Sequence, residues 1–182
     1  MGSPAAGVLF LEHAVGTAPA GCWDSHTLSD LSNISCPAPG VVTCRLGVGP
    51  LVQNRYKTLH GGCVASIVDV VGTAAILTRS RKGGVSVSIN VTYHTPAPGG
   101  QAVEITATAV RVGRTLATAE VDVRLVSTGE LVARGTHVKF MAPSEPEITA
   151  YLPGGAAAAA TGEGAWRPGA RSKSGGPPRS RL

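Results

Sequence analysis

Aromatic residues make up only 4% of this 182-residue chain and charged residues only 15%. No apolar run approaches the ~20 residues that a membrane-spanning helix requires, so a spanning role is excluded. The first forty residues hold no lysine or arginine, and the basic stretch from Arg167 onward holds no acid. The formal charge of +5 admits anionic partners. Scattered basic residues, few aromatics and the lack of any helix-turn-helix, zinc-finger or RNA-binding signature exclude nucleic acid. The four cysteines, Cys22, Cys36, Cys44 and Cys63, form no C-x-x-C pair and no Cys/His metal spacing. Neither a metal nor a cofactor is therefore expected. The N-terminus lacks the basic start and apolar stretch of a secretory signal. A mitochondrial presequence needs arginine, and the first is Arg45; Ala6 stands where a myristoylation signal needs Ser or Thr. The expectation is an intracellular protein with reduced thiols.

The 43% hydrophobic share is that of a globular core, and the length suits one domain with a tail. The last three residues, Ser180-Arg181-Leu182, resemble a C-terminal peroxisomal address of the small–basic–Leu type. The Gly-, Pro- and Ser-rich stretch before them would leave that address exposed. A peroxisomal location with its import receptor as partner is expected, the cytoplasm being the alternative.

Three regions follow from composition: a loosely ordered segment at 1–21, a folded domain at 22–142, and a flexible basic tail at 143–182. Within the domain, Val41–Val48 reads as a strand after the Pro-Ala-Pro-Gly turn at 37–40. A helix is predicted over Gly61–Arg79. Beyond the Lys82-Gly83-Gly84 turn the period becomes two, with Val85, Val87, Ile89, Val91 and Tyr93 alternating with Ser86, Ser88, Asn90, Thr92 and His94. Three more strands follow, marked by Val103–Ala109, Ala117–Leu125 and Leu131–Met141. One helix beside a meander of antiparallel strands makes an α+β fold with the helix packed on the sheet.

On a helical wheel Val64, Ile67, Val68, Val71 and Ala75 share the face expected to meet the sheet. The opposite face carries Gly62, Ala65, Gly72 and Thr73, with Asp69 at its centre. A carboxylate among small residues can be approached closely by a ligand or another backbone; a plain contact face is the competing explanation. At the helix start, His60-Gly61-Gly62 offers free backbone N–H groups at the positive end of the helix dipole, where an oxyanion is stabilised.

The run Asn54-Arg55-Tyr56-Lys57-Thr58-Leu59-His60-Gly61-Gly62, with Asp69 following, resembles the small hotdog-fold acyl-CoA thioesterases of the phenylacetate type. Gly84-Val85-Ser86-Val87-Ser88-Ile89-Asn90-Val91-Thr92-Tyr93 resembles the strand after the helix in that branch. The likeness runs from about Ser25 to Met141. It implies a hotdog fold, a curved antiparallel sheet wrapped around a long central helix, in homodimers that pair as dimers of dimers. It also implies hydrolysis of an acyl-CoA, fatty acyl by expectation, with CoA as part of the substrate. On the matching positions, Asn54, His60 and Gly61 would hold the thioester carbonyl. Asp69 would be general base or nucleophile, and Ser86 would orient the water.

Geometry adds a constraint. Gly61 and Asp69 stand eight residues apart on one helix, roughly 12 Å along its axis. If both act on one thioester, Asp69 must come from a second copy of the chain. Cys63, in the first helical turn, is a competing nucleophile with His60 as its base. Arg55, Lys57, Arg81 and Lys82 flank the helix and are candidates for the CoA phosphates, against plain solvated charge. A hotdog enoyl-CoA hydratase or dehydratase and a non-catalytic acyl-CoA-binding protein are the alternative functions.

Overall fold

Period-two alternation builds most of this molecule. In the computed structural model, which describes residues 3–18 and 22–142, six strands form one antiparallel sheet. They are β1 (Leu31–Ala38), β2 (Val41–Gly47), β3 (Val85–Tyr93), β4 (Ala102–Val112), β5 (Leu116–Leu125) and β6 (Leu131–Phe140), in the order β1-β2-β4-β5-β6-β3. Val103, Ile105 and Ala107 of β4 and Ala117, Ala119, Val121 and Val123 of β5 are buried, as their alternation predicts. These residues line the concave face that receives the long helix, α3 (Gly61–Leu77). Val64, Ile67, Val68, Val71 and Ala75 are the helix residues that fill it. Gly135 of β6 lets the helix lie close, because a Cβ there would run into the Val68 side chain.

The N-terminal segment departs from expectation. Residues 4–17 form a helix, α1 (Pro4–Thr17), capped by Ser3, whose hydroxyl accepts the Ala6 N–H at 3.3 Å, with Pro4 at its first position. Leu11 is fully buried, and Gly7 allows contact with α3, where a Cβ would stand 2.5 Å from the Ala74 carbonyl oxygen. The segment thus covers the C-terminal half of α3. Gly72 and Thr73, expected on an open helix face, are buried instead against the sheet: Gly72 abuts His137 and Ala119, and Thr73 abuts Lys139. A short α2 (Trp23–Thr27) and β1 also went unread in the sequence. The tail at 143–182, with Ser180-Arg181-Leu182, lies outside the described residues.

Strand β3 is the other correction. Its register with β6 slips between Ser86 and Ser88, so that Val87 is an extra residue. Ser86 is paired with Lys139, Ile89 with His137, Val91 with Gly135 and Tyr93 with Ala133. Cross-strand partners project from the same face of a sheet. The bulge therefore turns Ser86 to the helix side together with Ile89, Val91 and Tyr93, where strict alternation would place it opposite them. β3 is also an edge strand, and eight of its nine residues are exposed.

Truncating Leu11 tests whether α1 is part of the core. Leu11→Ala is expected to lower the unfolding free energy by about 2–5 kcal/mol in denaturant titrations; a loosely attached segment would leave it unchanged.

Candidate active site

The loop before α3 is folded by Asn54. Its Oδ1 accepts the N–H groups of Tyr56 (2.9 Å) and Thr58 (3.2 Å), and its Nδ2 donates to Thr58 Oγ1 at 2.8 Å. One Nδ2 hydrogen is left over from these bonds. The turn delivers His60 as N-cap of α3, an unusual residue for the task. Its Nδ1 accepts the Gly62 N–H at 2.8 Å, which assigns the proton of the neutral ring to Nε2. Gly61 is the first helical residue, so its N–H has no carbonyl four residues back in the helix. Its carbonyl is held by the Tyr93 hydroxyl, which donates to it at 2.8 Å. Asn54, His60 and Gly61 are thus brought together at the N-terminus of α3.

Asp69 sits two turns further along and belongs to a different cluster. Ser86 Oγ donates to Asp69 Oδ1 at 3.2 Å. His137 Nε2 lies 2.9 Å from Ser86 Oγ and 3.5 Å from Asp69 Oδ1. Lys139 Nζ reaches Thr73 Oγ1 at 2.9 Å, Ser86 Oγ at 3.4 Å and Asp69 Oδ1 at 3.9 Å. The Asp69 side chain keeps 43% of its surface, while that of His137 keeps none and that of Lys139 6%. Asp69 and Ser86 are therefore open to solvent, and the two basic groups stand sealed behind them.

Burial drives the His137 imidazole down to about 4, the Lys139 ammonium adds to the shift, and the Asp69 carboxylate opposes it. The ring is neutral at pH 7, and its buried Nδ1 has no side-chain partner. Serine, histidine and aspartate are the residue types of a hydrolytic triad, but the wiring differs. Here the carboxylate contacts the serine, and no carboxylate holds the imidazole nitrogen that a triad aspartate would hold. A ring that protonates only near pH 4 is a weak acceptor for a serine proton. This arrangement suits a water activated by Asp69 and aligned by Ser86.

The competing thiol does not survive. Cys63 is 2% exposed, its Sγ is 3.6 Å from the Thr27 carbonyl, and burial pushes the thiol up to about 11. No thiolate is available at neutral pH. All four cysteines are free, and among the described residues no cluster of three or more His, Cys, Asp or Glu side chains is placed to hold a metal. Among those residues, too, no helix is long and apolar enough to cross a membrane.

The four basic candidates fall at the two ends of α3. Arg55 and Lys57 are exposed on the turn before it, with the Arg55 guanidinium 5.2 Å from the centre of the Tyr56 ring. Arg81 and Lys82 follow its C-terminus, where Lys82 Nζ donates to the Ala142 carbonyl at 3.1 Å. Lys82 also lines a cavity of about 650 Å³ with Ser80, Gly113, Arg114, Thr115, Phe140 and Met141. One chain does not bring the two pairs together.

The sequence reading missed His137 and Lys139. A signal was available: both stand at the inward positions of β6, in phase with Ala133 and Gly135. A histidine and a lysine on the buried face of a strand are the exception that points to a site.

Comparison with known proteins agrees with this architecture. Residues 56–132 match the thioesterase superfamily model. The chain belongs to that superfamily; it has the hotdog fold and is a thioesterase. It is 43% identical to human acyl-coenzyme A thioesterase 13 over 105 residues, covering 57% of this chain and 75% of that protein. The crystal structure of zebra fish thioesterase superfamily member 2 superposes with a TM-score of 0.69 at 36% identity, covering 77% of this chain and 99% of that one. A variant of the phenylacetic acid degradation protein PaaI from Thermus thermophilus gives a TM-score of 0.52 at 30% identity, over 58% of this chain and 88% of that one.

Two outcomes follow. Cys63→Ser should turn over at near the wild-type rate in a thiol-release assay. The second concerns acid stability. An imidazole held at about 4 when folded, against 6.5 when released, is protonated first in the unfolded chain as pH falls. Its contribution is fully present above about pH 6.5 and is lost on the way down to pH 4, a change on the order of 3 kcal/mol. Denaturant unfolding across that window should show this slope in the wild type, and His137→Gln should flatten it.

Proposed function

We propose that this thioesterase hydrolyses an acyl-CoA to the free acid and CoA, with an apolar, fatty-type acyl group. The observation that carries the reading is the solvent-open Asp69–Ser86 pair, backed by two sealed basic groups. Water adds to the thioester carbonyl as Asp69 takes its proton, and Ser86 keeps the water in line. The Gly61 N–H and the Asn54 amide stabilise the oxyanion, each such donor being worth about 3 kcal/mol. His60 caps the helix and holds that end in shape. The thiolate of CoA leaves without a strong general acid. A hydratase would need a second acid–base group in reach of the substrate, and the imidazole nearest Asp69 has no exposed surface.

The oxyanion end and the carboxylate end of α3 serve one thioester if two chains meet with their α3 helices antiparallel. Edge strand β3 supports such pairing. Among the described residues its outer N–H and C=O groups face no neighbouring strand, and Val85, Val87, Ile89 and Tyr93 are 60%, 61%, 37% and 55% exposed. In that assembly Arg55 and Lys57 of one chain approach Arg81 and Lys82 of the other. The CoA phosphates then lie between the two pairs, with the Lys82–Arg114 cavity beside them.

Thiol release across an acyl-CoA panel tests the activity, and Asp69→Asn should lower kcat by orders of magnitude. Gly61→Pro removes the N–H while suiting a first helical position, and the extended His60 backbone (φ −68°, ψ 132°) accepts a following proline. Each variant alone should be nearly inactive. Co-refolding the two should restore roughly a quarter of the wild-type rate, because half the dimers are mixed and each holds one intact site. A mixture as inactive as its components would place both groups in one chain's site and end the shared-site reading.

A further inference from the structure

Lys139 is unused in the mechanism above, yet its ammonium is enclosed against the reacting carboxylate. We propose that Lys139 is the positioning residue of the hydrolytic site, fixing through its ammonium the direction in which the Ser86 hydroxyl points. The inference rests on the reading of Asp69 and Ser86 as the water-activating pair.

Two hydroxyls carry the argument. Thr73 Oγ1 donates its hydrogen to the Asp69 carbonyl at 2.7 Å, so what it offers Lys139 Nζ at 2.9 Å is a lone pair. Thr73 thereby anchors the ammonium one turn beyond Asp69 on the same helix. From there Nζ stands 3.4 Å from Ser86 Oγ and 3.9 Å from Asp69 Oδ1. A cation has no lone pair, so Ser86 can meet it only as an acceptor, and the serine hydrogen is turned away from Lys139 toward Asp69 Oδ1 and His137 Nε2, at 3.2 and 2.9 Å. Register makes the contact intrinsic to the sheet, because Ser86 and Lys139 are direct cross-strand partners at the Val87 bulge. A hydroxyl turned this way keeps its hydrogen on the Asp69–His137 side of the cluster and fixes Oγ beside the carboxylate that activates the water.

The ammonium has a second effect with its own readout. His137 faces Asp69 from α3, Ser86 from β3 and Lys139 on its own strand, while its β5 partner is Ala119 and that of Lys139 is Ala117. Lys139 is thus the one cation against the ring within this group, and it disfavours imidazolium.

The test uses Lys139→Met, which keeps the chain length and removes the charge, and Lys139→Arg, which keeps the charge. In acyl-CoA hydrolysis by the full chain, Lys139→Met should lower kcat roughly ten- to a hundredfold with KM within about twofold. Lys139→Arg should recover part of that loss. NMR titration should show the His137 imidazole in Lys139→Met rising from about 4 toward 6.5. A lysine that only packs the interior would lower the thermal midpoint and leave kcat and the imidazole titration where they were. That result overturns the proposal. If Lys139→Met does not fold, Thr73→Val removes the 2.9 Å anchor and should lower kcat in the same direction; an unchanged kcat there overturns it equally. A wild-type chain inert toward every acyl-CoA ends the hydrolase reading and this proposal together. A working wild type with an unaffected Lys139→Met ends the proposal alone.

Discussion

Eight residues of helix separate the Gly61 amide from the Asp69 carboxylate, and a helix does not shorten. At 1.5 Å per residue the gap is roughly 12 Å, several times the reach between a bound carbonyl oxygen and the water that attacks its carbon. Polar groups cluster at both ends of this span: Asn54, His60 and Tyr93 shape the first, and Ser86, His137 and Lys139 shape the second. Two half-sites on one rigid rod become two whole sites when two rods lie antiparallel. The shared site proposed above would also give the exposed β3 edge a partner strand.

The sheet is what makes the rod serviceable. Gly135 lets Val68 settle against β6, and Gly72 leaves room for the His137 ring, 3.4 Å from where its Cβ would stand. These contacts fix the rotation of α3 so that Asp69 points past the sheet toward the β3–β6 boundary. Tyr93 and Ser86 then meet the helix from one strand, near its start and beside Asp69. β3 therefore runs alongside α3 in the opposite direction and touches both half-sites. Displacing that strand would disturb both ends of the chemistry at once.

Much of this was legible in the sequence because periodicity is a physical signal. The helix from Gly61 and the strands of β2 to β6 follow from where apolar residues recur. α1 was not legible. Its core contact rests on Leu11 and on Gly7, a residue whose value lies in what it lets approach. β1 was hidden too, since Leu31-Ser32-Asn33-Ile34-Ser35-Cys36-Pro37-Ala38 has no clean alternation and its register slips twice against β2. In the site, Asp69 stood out as a lone charge among small residues, while the Val87 bulge left no trace in composition. Strict alternation put Ser86 on the wrong face for a bond to Asp69. Lys139 and His137 needed the strand's phase, a relation among Ala133, Gly135 and their neighbours that no single residue announces.

The burial pattern sets the direction of approach. A sealed ammonium and a partly open carboxylate balance each other's charge, while the imidazole between them stays neutral. Isolated, a lysine in that position would carry a desolvation cost of several kcal/mol. Beside Asp69, Ser86 and Thr73 its hydrogens have acceptors and its charge has a counterpart. The cost of burial then falls on the closed side of the cluster, and Asp69 and Ser86 form its open side. In the proposed mechanism, water and thioester come to that open side. It is also the side where the small residues Gly62 and Ala65 line the helix, and where the shared site proposed above would take the Gly61 amide of a second chain.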